Sequence, residues 1–207
     1  MADALEGPDI SASPTSRAPP LDARARIIRT AYELFRSNGL NSVGVDRIVA
    51  EAGVAKTTLY RHFRSKDDLA VAVIERHEEV WTRDWLAREV ERRANSPTAR
   101  LLAIFDVLDE WFRGEGYEGC LFINSVLETH DRASPVRAAS VTAIEHVYAL
   151  IERFAKDADV RDPDGLAHAM HIVMRGAIVA AVEGHFDAVG KASAVARLLV
   201  DQERRDA

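Results

Sequence analysis

The chain has 207 residues, a single cysteine and a formal net charge of −6, with 47% hydrophobic and 29% charged residues. That length buries a sizeable core without disulfides or metal, and the composition is globular rather than disordered. A lone Cys120 excludes a disulfide framework within the chain and fits a reducing compartment.

Residues 1–20 hold four of the seven prolines together with Ser11, Ser13 and Ser16, and read as a disordered arm. Asp3, Glu6 and Asp9 stand there against one arginine, Arg17, with no apolar stretch, so no secretory leader is expected. In the last third, the longest uncharged apolar run covers only residues 176–182. A membrane span needs about 18 such residues, so none is expected and the location is read as cytoplasmic.

Beyond the arm the periodicity is helical throughout, with no alternating run that reads as a strand. The first helix covers 21–38, with Ile27, Ile28, Ala31, Leu34 and Phe35 on one face and Gly39 at its end. A short helix follows over 45–52, with Val45, Ile48, Val49 and Ala52 inward, and Gly53 supplies a left-handed turn residue. Another short helix covers 56–63, anchored by Leu59 and Phe63. Ser65 caps a long helix over 66–93, with Asp67 and Asp68 in its first turn. Amphipathic segments then predict helices over 97–112, 120–130, 135–157, 163–186 and 191–204, the fourth of these opened by Asp162-Pro163. The expected fold is all-α with about nine helices.

Charge is unevenly spread. Between Asp22 and Lys66 nine cations face four anions, giving +5 and leaving −11 for the rest. A basic module on an acidic body points to a polyanion partner, although a solvated helix face produces the same tally. The arrangement of 44–66 decides between them. Two short helices meet at a glycine turn, and the second presents Lys56, Thr57, Thr58, Tyr60, Arg61, His62 and Arg64 outward. This is a helix-turn-helix: a short helix held by few apolar contacts can lay its polar face in a major groove.

The stretch Ile48–Val54, followed by Lys56-Thr57-Thr58-Leu59-Tyr60-Arg61-His62-Phe63 and Lys66, resembles the signature of the tetracycline-repressor (TetR) family of bacterial regulators. The resemblance covers about residues 24–70. A softer one runs from Glu118 through Glu128. It implies a helix-turn-helix domain over 21–66 and a helical effector-binding and dimerisation domain over 67–207. It also implies a homodimer on a palindromic double-stranded DNA operator, and repression relieved by a small-molecule effector. By position, Lys56, Thr57 and Thr58 would make or approach base contacts, Tyr60, His62 and Lys66 would contact phosphates, and Arg61 would do either. Ala55 departs from the family where a capping serine is common, and Thr57 where glycine is common.

Signals in the body are weaker. Small residues over 175–184, with Ala192, Val195, Leu198 and Leu199, fit half of a four-helix dimer interface or a helix pair within one subunit. Phe105, Trp111, Phe122, Met170 and Met174 would line an apolar pocket, with His130 and His146 as polar groups, though core packing explains any one of them. His168 and His171 lie three apart with Asp164 one turn before, but no second cluster supports a metal, so neither metal nor cofactor is expected. Cys120 reads as structural. No nucleophile elbow or phosphate-cradling loop appears, and no enzyme activity is expected.

Overall fold

The structure is a computed structural model that describes residues 22–114 and 117–204. The arm expected over 1–20 and the glycine-flanked Glu115 lie outside the described residues. Every regular element among the described residues is a helix. They are α1 (Ala23–Asn38), α2 (Val45–Ala52), α3 (Lys56–His62), α4 (Lys66–Glu78), α5 (Ala87–Arg93), α6 (Pro97–Arg113), α7 (Leu121–Glu128), α8 (Pro135–Asp157), α9 (Pro163–Val182) and α10 (Ala188–Glu203). A π-helical stretch, Glu79–Leu86, follows α4 without a break and leads into α5, so the described residues form nine continuous helical segments.

Local chemistry sets the ends. The Asp22 carboxylate caps α1 by accepting from the Ala25 N–H at 2.8 Å, one residue outside the helix. Ser65 accepts from Asp68, Ser96 from Ala99 and Asp162 from Gly165, each at the start of its helix. The Schellman-like end of α2 places Gly53 at φ 61°, ψ 43°, and Gly39 stands at φ 81° after α1. The helix expected to reach 186 stops at Val182, with Gly184 at φ 91° just beyond it.

The described residues fall into two compact units. One holds 22–80 and 120–144; the other holds 81–119 (115 and 116 aside) and 145–204. The first unit is α1–α4 with α7 and the opening turns of α8. Its core joins Ile27, Leu34 and Phe35 of α1, Ile48 of α2, Leu59 of α3, Leu69 and Val73 of α4, and Phe122 of α7. Burying each such side chain contributes about 1.5–3 kcal/mol. In the same unit α7 is tied to the turn after α1. The Asn41 N–H donates to a Glu128 carboxylate oxygen at 3.0 Å, and the Asn41 amide donates to the Glu128 carbonyl at 2.9 Å.

His77 is buried in this core between the rings of Tyr32 and Phe122, at centroid distances of 5.0 and 5.1 Å. Burial, and then the charge of Arg36, pushes its imidazole down to about 3. The same burial pushes Tyr32 up to about 12.

In the second unit α6 buries Leu101, Ile104, Phe105, Leu108 and Phe112 along one stripe, α9 packs on α10, and α10 packs on α6. Trp81 contacts Trp85 and Trp111, and Tyr117 meets Trp111 edge-on while donating to the Ile178 carbonyl at 3.1 Å. By length and composition α9 is apolar enough to cross a membrane, with a mean hydropathy of 1.5, contrary to the sequence expectation. It carries just two charged residues, Asp164 and Arg175, and its seven apolar residues from Leu166 to Ala181 that are buried make it a core helix.

Candidate nucleic-acid interface

The candidate site is built by α2, the turn Gly53–Ala55 and α3. Leu59 is fully buried and Phe63 nearly so, and they join the core that also holds Ile48 and Ala52 of α2. With those two positions inward, the helical period leaves the remainder of α3 outside. Lys56, Thr57, Arg61 and His62 are exposed, Thr58 is half-buried, and Tyr60 keeps 48% of its surface accessible. Lys66 is half-buried at the start of α4. The structure therefore places Lys56, Thr57, Tyr60, Arg61 and His62 on the outer side of one short helix, with Lys66 just after it.

Ala55 occupies the N-cap of α3 and no side chain caps it, as the missing serine predicts. Phe63 is extended, so α3 ends at His62, one residue earlier than the periodicity predicts.

The cations of this surface are held in a pattern that sequence reasoning missed. The Lys56 ammonium lies 2.6 Å from the Asp46 carboxylate on α2. Arg47 pairs with Glu51 at 2.8 Å and also donates to the Asn38 side chain at 3.2 Å. Arg64 pairs with Asp68 at 2.8 Å, and the Arg64 guanidinium holds that carboxyl below the usual range. The Lys66 ammonium is pushed down by burial, against the opposing pull of Asp67 and Glu128. Arg24 of α1 sits 5.4 Å over the Phe63 ring, beside the end of α3. The four-residue spacings Arg47–Glu51 and Arg64–Asp68 are visible in the sequence. The Asp46–Lys56 pair, ten residues apart across the turn, is not.

The residues expected to line an effector pocket do not form one group. Phe105, Trp111, Met170 and Met174 lie in the second unit; Phe105, Met170 and Met174 are buried there and Trp111 is partly exposed. His146 is half-buried on α8 in the same unit. Phe122 belongs to the core of the first unit against His77, and His130 of that unit is exposed. A groove of about 570 Å³ runs between α6 and α10, with Phe105, Asp106, Asp109, Arg113, Asp187 and Gly190 on its walls. Of the predicted lining residues it takes in Phe105 alone.

Tyr148 donates to Asp164 and packs its ring at a tilt against His168, centroids 4.4 Å apart, while His168 Nδ1 faces the Asp164 carbonyl at 3.1 Å. Burial pushes His171 down to about 4, with Arg175 and His168 adding to the effect. Among the described residues no three His, Cys, Asp or Glu side chains converge on a metal position. Cys120 is partly exposed as a residue, but its thiol is pushed up by burial, with backbone hydrogen bonds from Ile123 and Phe122 opposing.

Comparison with known proteins bears on both units. Residues 27–73 match the model for bacterial regulatory proteins of the tetR family, and residues 97–195 match a tetracyclin repressor-like C-terminal domain. Transcriptional regulator AcuR of Cereibacter sphaeroides is 30% identical over 167 residues, which cover 77% of this chain and 76% of AcuR. The HTH-type transcriptional activator FasR of Mycolicibacterium smegmatis is 29% identical over 140 residues, 67% of this chain and 63% of FasR. The crystal structure of SCO4454, a TetR-family transcriptional regulator from Streptomyces coelicolor, superposes with a TM-score of 0.81 at 26% identity, covering 88% of this chain and 96% of that one. Its helix-turn-helix, its all-α fold and these matches together make the chain a member of the TetR family of DNA-binding transcriptional regulators.

Proposed function

We propose that this regulator is a cytoplasmic homodimeric repressor that leaves a palindromic operator when a small-molecule effector binds. The observation that carries the DNA half is the polar outer face of α3, anchored from behind by Leu59 and Phe63. In this reading Lys56, Thr57 and Thr58 meet base edges, Tyr60, His62 and Lys66 meet phosphates, and Arg61 serves either. Residues 21–66 act as the DNA-binding part and 67–207 as the part that dimerises and takes the effector.

The dimer rests on apolar surface that α9 and α10 leave outside. Ile172, Val179 and Val182 of α9 are exposed, as are Val195 and Leu198 of α10, the last at 70%. A Cβ added at Gly176 meets nothing within 4 Å, so a second copy has room to approach there. Two copies related by a two-fold axis present two α3 helices, which suits half-sites about 34–36 Å apart or a multiple of that.

In this reading the effector is held in the second unit, where Phe105, Trp111, Met170 and Met174 lie and Phe105 stands on the wall of the groove between α6 and α10. It acts by population shift, binding more tightly to the dimer whose α3 spacing no longer matches adjacent grooves. Activation is a second reading, favoured by the similarity to FasR, a protein named as an activator.

Selection of bound fragments from the host genome, with and without candidate metabolites, tests the proposal. Recovery of a palindromic site that is lost on adding one metabolite is the expected outcome. Transcription of the adjacent gene in a deletion strain separates the two signs: it rises for a repressor and falls for an activator.

A further inference from the structure

Lys56 is the first residue of α3, and its ammonium does not project freely. It lies 2.6 Å from the carboxylate of Asp46, in the first turn of α2, and the two side chains keep 52% and 82% of their surfaces exposed. The pair therefore sits on the outside of the helix-turn-helix, on the surface assigned above to DNA. We propose that Asp46 is a specificity-determining residue, an internal carboxylate that withholds Lys56 from phosphates while leaving it able to read bases. The inference rests on the reading that α3 enters the major groove.

Donor geometry and charge make Lys56 treat bases and phosphates differently. An ammonium has three N–H donors, and Asp46 occupies one direction. The other two remain for neutral acceptors on a base edge, such as the O6 and N7 of a guanine, with Asp46 still paired. A phosphate makes a different demand. It offers Lys56 the same kind of partner that Asp46 already provides, and it brings a second negative charge against that carboxylate. Exchange with a phosphate therefore gains little, whereas the base contact adds to the existing pair. Random DNA, which attracts through phosphates alone, gains least from Lys56.

Full-length protein is titrated against two fluorescein-labelled duplexes over a salt series: one of scrambled sequence, the other the duplex most enriched from a random pool. Asp46→Asn is expected to raise affinity for the scrambled duplex about two- to fivefold, the range of an exposed ion pair. It should steepen the log-affinity against log-salt slope by about one unit and leave the enriched duplex within about twofold, so the ratio of the two affinities falls. Asp46→Glu, which keeps the charge, should hold the ratio near that of the parent protein. In a Lys56→Met background the gain from Asp46→Asn should shrink to less than half.

Equal gains on both duplexes, or a gain undiminished in Lys56→Met, would overturn the inference, since Asp46 would then act only as a general negative charge. A parent protein that binds the enriched duplex tightly while Asp46→Asn changes neither affinity overturns this inference and leaves the DNA-binding reading standing. A parent protein with no preference for any duplex overturns both. Thermal unfolding of each variant confirms that the compared proteins are folded.

Discussion

Side chains on and beside α3 fall into two chemical kinds, and each kind fails in its own way when removed. Lys66→Ala is expected to weaken binding almost uniformly across sequences and to flatten the salt slope by about one unit, as loss of one phosphate contact does. Substitution of Thr57 is expected instead to change which duplex is preferred, by about 1–3 kcal/mol if it meets a base directly. Competition titrations against a panel of single-base variants separate the two outcomes. His77 offers a test unrelated to DNA. Its folded pKa, about 3, lies below the ordinary 6.5. The neutral imidazole therefore stabilises the fold fully above about 6.5, and that contribution is lost as pH falls, because the unfolded chain takes the proton first. Over that window His77 should cost about 1.4 kcal/mol of folding free energy per pH unit. His77→Phe keeps a ring between Tyr32 and Phe122 and should flatten this part of the pH dependence in denaturant unfolding. The outward residues of α3 were legible because a seven-residue helix with one apolar anchor, Leu59, and a second, Phe63, just after its end leaves few choices. The Asp46–Lys56 pair was not, since its geometry depends on how the turn at Gly53 folds back.

Helix by helix, the sequence pattern was most readable where a cap residue stands out, as with Ser65 and Asp162-Pro163, whereas the cap that Ser96 gives α6 appears only in the structure. It blurred at the segment after α4. Trp81 and Leu86 are both buried although five residues apart, a spacing that suits a π turn and not the 3.6-residue period. The tie between α7 and the turn after α1 was also hidden, because it joins residues 87 positions apart. Two elements invite stability measurements. Ala55→Ser would give the uncapped α3 an oxygen acceptor, with an expected gain of about 1 kcal/mol in thermal or denaturant unfolding. Gly39→Ala should lose about 1–3 kcal/mol. At φ 81°, ψ 152° its backbone lies in a region that glycine alone adopts readily, and the added Cβ would stand 3.0 Å from a Glu128 carboxylate oxygen.

At the scale of the whole molecule, the exposed apolar residues of α9 and α10 are the feature with the largest expected effect. Leu198→Asp places a charge in the middle of the proposed dimer face, and sedimentation velocity should show a shift from two copies to one. Binding to a palindromic duplex should fall to the level of a single half-site, while the far-ultraviolet circular dichroism stays helical. Composition and periodicity made the all-α class of the described residues readable. They did not reveal that residues 120–144 pack with the N-terminal helices, because that grouping comes from contacts distant in sequence. The grouping bears on protein engineering. Leu121, Phe122, Val136 and Ala143 supply part of the core that α1–α4 share. A chimera spliced after residue 80 would strip those side chains from beneath the reading head and leave its underside sticky. Transplanting the DNA preference of this chain onto another scaffold therefore requires carrying α7 and the start of α8 along, or redesigning the surface they leave behind.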